Sequence, residues 1–432
     1  MNLLSLNSSS SLSEWLHYLE SLNPKEIDLG LDRVERVANQ MNLFSKLISS
    51  SVKIVTVAGT NGKGSCVTAL DSFLVAADKN TGAYTSPHFL DYNERIKING
   101  VSASDEEIIT AFCEVEKSRQ GIPLTYFEFG TLAAMWHFLH SDVDVIVMEV
   151  GLGGRLDAVN VFVPDVAIIT SIALDHQDWL GDNRETIGLA KAGIYRKDTP
   201  AICVDGSPPN SVIEYANQIK AELYLKGRGI DWSVDDNFFN WSGVDCKRNT
   251  VSIKKLPVPN LPLPSVAAAI QAFAFLGFEL SDLPLEKTLQ TLNLTGRGQQ
   301  ALIQGKNVLL DVAHNPAAAL YLKEILARKN VKNIFAVFAV MADKDYKTIF
   351  TTLDAKVDKW FVSGIENVPR AESGTQLRVT LEELGLTGSC YDTVRHSFAE
   401  ALAEATVDDL IVVLGSFYTV AEVLNHFPFD GK

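Results

Sequence analysis

Val52-Lys53-Ile54-Val55-Thr56-Val57-Ala58-Gly59-Thr60-Asn61-Gly62-Lys63-Gly64-Ser65 is the stretch on which the reading of the fold turns. Val52–Val57 is a β-branched run of strand length, and Ser65–Ala77 carries a helical pattern. The glycine-rich link between them has the setting of a phosphate-binding loop, a strand before it and a helix after it. Glycines let backbone N–H groups close around phosphate oxygens, and the helix N-terminus adds partial positive charge. Lys63 is placed to reach the β- and γ-phosphates of a nucleoside triphosphate, and Ser65 to ligand Mg²⁺. The spacing is not the usual one, because Gly64 separates the lysine from the hydroxyl residue; a glycine-rich turn of another kind of α/β protein is the other reading.

Outward from this loop, short apolar runs alternate with helical patterns. Val143–Val150 and Val166–Ile172 are continuous apolar stretches, as expected of strands buried on both faces of a parallel sheet. Asp105–Ser118 and Gly130–His140 read as helices between strands, which makes a doubly wound α/β pattern. Ser13 is the expected N-cap of a helix Glu14–Leu22. A proline-rich segment, Leu256–Pro264, precedes an alanine-rich helix Val266–Leu276. After Thr295-Gly296-Arg297-Gly298 the alternation begins again, with strands at Val308–Val312, Ile334–Val340, Lys359–Val362 and Leu410–Leu414. The expected organisation is a first domain over residues 1–296, a hinge at 297–300 and a second α/β domain over 301–432.

Composition narrows the function classes. The chain has 432 residues, 47% of them hydrophobic, which excludes disorder over most of its length. Its 38 basic and 53 acidic residues give a net charge of −15, the wrong sign for broad contact with nucleic acid. An anionic substrate has to be met by a local positive site. The longest apolar stretch, Val266–Phe278, is broken by Gln271 and Gly277 and falls short of the roughly 18–20 residues of a membrane span. Cys66, Cys113, Cys203, Cys246 and Cys390 are scattered, which argues against a disulfide framework or a structural zinc. The N-terminus has no basic start and no long apolar run, so a soluble, cytoplasmic protein is expected.

Three further groups are candidates for the loop's edge of the sheet, because ligands of open α/β sheets bind beyond the carboxyl ends of the strands. Glu149 ends the run Val143–Val150, where a carboxylate opposite a phosphate loop suits Mg²⁺. His176 follows Val166–Ile172, and Ser86 sits in Thr85-Ser86-Pro87-His88 after another strand end. Each has an ordinary alternative, a solvated glutamate or a packed or capping histidine.

Several motifs occur in order: GTNGKGS, TSPH, EVGLGGRLDA, SIALDHQDWLG, KAGIYR and DVAHNP, over residues 59 to 316. Together they resemble the folylpolyglutamate synthase and dihydrofolate synthase family, a branch of the Mur-type ATP-dependent amide ligases. Val413-Leu414-Gly415-Ser416-Phe417-Tyr418 is similar to that family's closing motif. The resemblance implies a P-loop Mur-ligase-like domain with a mainly parallel sheet, and a smaller Rossmann-like C-terminal domain. It implies ATP and Mg²⁺, an acyl-phosphate intermediate and L-glutamate as the attacking amine. The acceptors it implies are 7,8-dihydropteroate and reduced folates.

By the same resemblance Gly59, Thr60, Asn61, Gly62, Lys63, Gly64, Ser65, Arg297 and Asp311 bind ATP, with Lys63 on the phosphates and Asp311 on the ribose. Ser86, Glu149 and His176 hold the metal. Lys191 matches the lysine that this family carries as N6-carboxylysine, and His314 lies close to the phosphates. Asn315-Pro316 also reads as an N-cap and first helical residue. Asp28, Leu29 and Gly30, then Thr125, Tyr126, Phe127 and Glu128, then Leu156, Asp157 and Ala158 resemble the pterin-side segments of the bifunctional bacterial members. Tyr126 and Phe127 also read as core residues. Two positions depart from the family pattern: Ser265 stands where an asparagine usually contacts adenine, and Thr295 replaces a proline before Gly296-Arg297. A monomer is the family's usual state. The alternatives are a monofunctional folylpolyglutamate synthase, a Mur-type cell-wall ligase, and a nucleotide-binding protein without chemistry.

Overall fold

The computed structural model describes residues 6–23, 25 and 27–430. The chain divides into two compact units, Met1–Leu292 and Asn293–Lys432.

The first unit is built on an eleven-stranded sheet. Its strands are β1 (Lys53–Ala58), β2 (Thr81–Tyr84), β3 (Ile96–Ile98), β4 (Val101–Ser102), β5 (Val145–Glu149), β6 (Val166–Ile169), β7 (Pro200–Cys203), β8 (Glu222–Lys226), β9 (Gly229–Asp235), β10 (Phe238–Val244) and β11 (Thr250–Pro257). They lie in the order β11-β10-β9-β8-β7-β6-β1-β5-β2-β3-β4. β1 is central, parallel to β5 on one side and β6 on the other. All residues of β5 and β6 are buried, which is why their sequences run apolar without alternating. The helix Lys63–Ala76 leaves the end of β1 and packs against Leu263–Phe275.

The second unit carries β12 (Gln299–Ile303), β13 (Lys306–Leu310), β14 (Ile334–Phe338), β15 (Lys359–Ser363), β16 (Gly388–Tyr391) and β17 (Leu410–Leu414), in the order β12-β13-β17-β14-β15-β16. Only the β12–β13 hairpin pairs antiparallel in this sheet. Phe338, Phe350 and Trp360 interlock in its core, with ring centroids 4.7 to 5.8 Å apart.

Several boundaries differ from the sequence expectation. Ser11, not Ser13, caps the first helix, Leu12–Leu22: Ser11 Oγ accepts from Glu14 N, and Glu14 Oε2 accepts from Ser11 N at 2.7 Å. This reciprocal pair satisfies two end groups at once, so Ser13 falls inside the helix. The helix expected from Gly130 starts at Tyr126 for the same reason, with Thr125 and Glu128 as the reciprocal pair. The alanine-rich helix begins at Leu263, using Pro264 in its first turn. The antiparallel extension β9–β11 was not read from the sequence at all. β9 and β11 are mostly exposed or half-buried and β10 alternates buried with half-buried positions, so none has the continuous apolar signature of the parallel strands.

Candidate functional site

The glycine-rich loop bridges the end of β1 and the helix Lys63–Ala76. The backbone beyond β6 holds its shape. Thr60 N donates to the carbonyl of Ser171 at 2.8 Å, Asn61 N donates to Ser171 Oγ at 2.9 Å, and Thr170 Oγ1 donates to the Asn61 carbonyl at 2.8 Å. Gly59 lies so close to this strand end that a Cβ there would stand 1.9 Å from Thr170 Oγ1. Gly62, at φ +85°, turns the chain into the helix. Lys63 Nζ curls over the loop and donates to the carbonyls of Gly59 (3.1 Å) and Thr60 (3.4 Å).

The other candidates of the first unit come from neighbouring strand ends on the same edge. Ser86 follows β2, and its backbone N–H donates to Glu149 Oε2 at 3.1 Å, so the structure brings Ser86 and Glu149 together. Arg95 Nε donates to His88 Nδ1 at 2.8 Å, bracing the same loop. Burial, and then the Arg95 charge, push the His88 pKa down to about 4, which keeps the ring neutral and able to accept. His176 lies in the loop after β6, exposed, at φ +51° as the cap of the short helix Gln177–Leu180. No group of three or more His, Cys, Asp or Glu side chains able to hold a metal is assembled among the described residues. Hard oxygen donors are nevertheless present: Glu149 is buried at the strand end, and Ser65 Oγ is buried without a hydrogen-bond partner. That donor set suits Mg²⁺.

Lys191 is buried in the last turn of the helix Arg184–Ala192. Burial, and next the nearby positive charge of Lys63, lower its pKa to about 7, against the opposing pull of Asp175 and Asp157. Asp157 is itself pushed up to about 7 by burial, although its carboxylate accepts from Leu152 N at 2.8 Å and Val159 N at 3.0 Å. A lysine and an aspartate of shifted pKa thus lie within electrostatic reach of the phosphate-loop lysine.

The segments Asp28–Gly30, Thr125–Glu128 and Leu156–Ala158, expected from the resemblance to face a pterin, lie far apart in sequence and meet in space. Gly30 N donates to the carbonyl of Leu156 at 3.3 Å. Arg33 ties the first segment to the second, with Nη1 2.7 Å from Asp28 Oδ2 and Nε 2.8 Å from Glu128 Oε1. Phe127 lies against Gly151, where a Cβ would come within 2.7 Å of its ring, and 5.9 Å from the Tyr84 ring. Tyr126 stands edge-on to Tyr92, with the Arg95 guanidinium 5.5 Å from its own ring.

In the second unit, Asp311 lies just beyond β13, buried. Its carboxylate accepts from Gly298 N and Ala313 N, both at 2.8 Å. Burial raises its pKa, with Arg297 opposing. The Arg297 guanidinium lies 5.0 Å over the Phe417 ring. His314 Nδ1 is 2.9 Å from the Val312 carbonyl, so that nitrogen carries the proton and Nε2 is the acceptor in the neutral ring. Asn315 caps the helix Pro316–Ala327 through Ala318 N.

The Mur ligase middle domain family matches residues 57–228, and the Mur ligase, glutamate ligase domain family matches residues 296–417. The chain is 40% identical over 418 residues to a dihydrofolate synthase/folylpolyglutamate synthase of Escherichia coli, covering 96% of both chains. It is 35% identical to the Haemophilus influenzae protein of that name, covering 98% of this chain and 99% of the other. The structure of Escherichia coli FolC in complex with DHPP and ADP superposes with a TM-score of 0.89 at 38% identity, over 97% of this chain and 98% of that one. A Yersinia pestis bifunctional enzyme complexed with AMPPNP and Mn ion gives 0.89 at 39%, with the same coverage. The chain belongs to the dihydrofolate synthase/folylpolyglutamate synthase family.

For a member of this family, sequence reasoning left out Thr170, Ser171 and Arg33, which shape the site, and set Ser265 at the adenine alone. Thr170 and Ser171 hold the loop and could have been suspected from their place after an apolar strand. Arg33 lies three residues beyond Gly30, yet nothing local says that it reaches Glu128. Ser265 Oγ donates to the Gly62 carbonyl at 3.0 Å, a contact with no sequence signal. In this structure its hydroxyl serves the phosphate loop.

Proposed function

We propose that the protein is an ATP-dependent ligase that adds L-glutamate to 7,8-dihydropteroate and, in polyglutamylation, to reduced folates. A carboxylate oxygen of the acceptor attacks the γ-phosphorus of ATP, the bond to the ADP oxygen breaks, and an acyl phosphate forms. The glutamate amine then attacks the acyl carbon, phosphate leaves, and the amine's proton passes to phosphate or solvent. Little covalent work falls to the protein, so positioning and charge neutralisation supply most of the acceleration.

In this reading the loop 59–65 cradles the phosphates and Lys63 neutralises the charge that develops on them. Ser86, Glu149 and His176 hold Mg²⁺, with Ser65 a further oxygen donor. Bound there, the metal supplies Lewis-acid polarisation of the phosphoryl oxygens. Arg297 and Asp311 meet the nucleotide, with His314 beside the phosphates. Lys191 would carry a carbamate: a pKa of about 7 leaves a large neutral fraction whose nitrogen adds to the carbon of CO₂, one C=O π pair moving to oxygen and the nitrogen's proton passing to solvent, which gives an anionic oxygen ligand in place of a repelling ammonium. Asp28, Leu29, Gly30, Thr125, Tyr126, Phe127, Glu128, Leu156, Asp157 and Ala158 line the pterin side. The enzyme acts as a monomer in the cytoplasm; no described helix is long and apolar enough to cross a membrane.

The observation that carries the acceptor assignment is the meeting of the three pterin-side segments through Gly30, Leu156, Arg33 and Glu128. The test is ATP-dependent phosphate release with L-glutamate, Mg²⁺ and either dihydropteroate or tetrahydrofolate, with products identified by mass. Glutamate addition to both is expected. Addition to tetrahydrofolate alone would make the enzyme a monofunctional folylpolyglutamate synthase, and addition to neither would overturn the acceptor assignment.

A further inference from the structure

Asn160 is buried in the short helix Ala158–Val161, on the segment that follows Glu149, and belongs to none of the groups assigned above. Its amide is fully committed. Nδ2 donates to the Arg155 carbonyl at 3.0 Å and to the Gly193 carbonyl at 3.1 Å. Its Oδ1 accepts from Arg196 Nη2 at 2.8 Å, and the same Nη2 reaches the Asn160 carbonyl at 3.0 Å. Arg196 Nη1 returns to the Gly193 carbonyl at 3.0 Å.

These bonds close on the turn that carries Lys191. Gly193 is the C-cap of the Lys191 helix and donates to the Lys191 carbonyl. Arg155 N donates to the carbonyl of Ala190, the residue before Lys191, at 2.8 Å. The two segments approach so closely that glycine is required on each. A Cβ on Gly154 would stand 2.8 Å from the Lys191 carbonyl oxygen, and one on Gly193 would stand 2.4 Å from Arg155 Cβ. A backbone approach this tight leaves carbonyls that need buried donors, and one primary amide supplies two.

We infer that Asn160, braced by Arg196, is a positioning residue that fixes the Lys191 amine against the segment leading from Glu149. The clasp at Arg155 and Gly193 sets how far the last turn of the Lys191 helix stands from the loop that ends at Asp157. The inference rests on the reading of Lys191 as a working group of the site.

The test is Asn160→Asp in the full-length enzyme. The substitution keeps shape and the bond to Arg196, and it replaces both donations by a carboxylate oxygen facing a carbonyl. Expected is a fall in kcat of about 10²-fold, the size associated with a misplacement of ~1 Å, with KM for ATP changed less than about threefold. In a Lys191→Ala background the same substitution is expected to add less than about twofold, because it acts through Lys191. The ¹³C signal of a lysine carbamate formed from ¹³CO₂ is expected in the wild type and weakened in Asn160→Asp. Arg196→Gln, milder for folding, should give a smaller kcat loss in the same direction. An undiminished effect of Asn160→Asp on Lys191→Ala, or a loss confined to KM, would overturn the inference. A Lys191→Ala enzyme with full kcat would instead bring down the Lys191 reading, and the inference with it. A wild type without the ¹³C signal but with the same non-additivity would remove only the carbamate and leave the clasp standing.

Discussion

Ser265 Oγ donates to the Gly62 carbonyl at 3.0 Å, joining two residues 203 positions apart. The helix Leu263–Phe275 thereby grips the turn that opens the phosphate loop, and a Cβ on Gly62 would stand 2.6 Å from that same hydroxyl. Glycine at 62 is needed twice, for its φ of +85° and for this contact.

Ser265→Ala removes the pin and leaves the half-buried Gly62 carbonyl with its helix partner, Cys66 N, but without this donor. One neutral hydrogen bond contributes about 1 kcal/mol, so KM for ATP should rise roughly fivefold with kcat little changed. Steady-state kinetics with varied ATP checks it; an unchanged KM would mean the loop keeps its shape without the pin.

Lys63→Ala should lower kcat/KM for ATP by roughly 10³-fold, since in the proposed reading Lys63 supplies the charge that meets the phosphates where the transition state concentrates negative charge. The fold should persist, because the hydrogen bonds of the Lys63 ammonium go to the backbone carbonyls of Gly59 and Thr60 within its own loop. Kinetics beside a thermal melt separates the two effects.

Arg33→Ala leaves the buried Glu128 carboxylate without its guanidinium and frees Asp28 from the helix Tyr126–Leu139. Breaking one partner of such a pair costs about 3 kcal/mol. KM for dihydropteroate should rise at least tenfold while KM for ATP holds. Arg33→Lys should recover only part, lacking the fork that reaches both carboxylates.

Two shifted groups predict opposite limbs in the pH dependence of stability. Asp157 binds its proton more tightly folded than unfolded, with a pKa of about 7 against the usual 3.8, so its contribution is present below pH 3.8 and lost as pH rises to 7. Lys191 binds its proton less tightly folded, about 7 against the usual 10.5, so its contribution is present above pH 10.5 and lost as pH falls to 7. In CO₂-free buffer, Asp157→Asn should flatten the falling limb between pH 4 and 7, and Lys191→Met the rising limb between pH 7 and 10. Melting temperatures across that range check both; a Lys191→Met profile parallel to wild type above pH 7 would contradict the shifted lysine.

The phosphate loop and the central parallel strands were legible because their signals are local. A strand buried on both faces must be apolar throughout, and the loop's glycines are required by φ and by close approach. The helix starts were less so. Ser11 and Ser13 are both serines ahead of a helical run, and only the position of Glu14 three residues beyond Ser11 selects between them. The strands β9 to β11 have no continuous apolar run: β9 and β11 are mostly exposed or half-buried, and β10 buries only alternate positions, Phe239, Trp241 and Gly243, whose residue types make no simple apolar-polar pattern.

The order of motifs alone was sufficient to point to the family and to nominate a nucleotide loop and candidates for charge and oxygen ligation, since these depend on residue type and short spacing. Tertiary packing decided that Arg33 reaches Glu128, that Ser265 serves Gly62, that Asn160 clasps the turn of Lys191, and that Lys191 and Asp157 titrate near neutrality. The physical reason is common to all four. Desolvation and through-space charge depend on which atoms surround a group, and those atoms come from segments tens to hundreds of residues away, about which a local pattern carries no information.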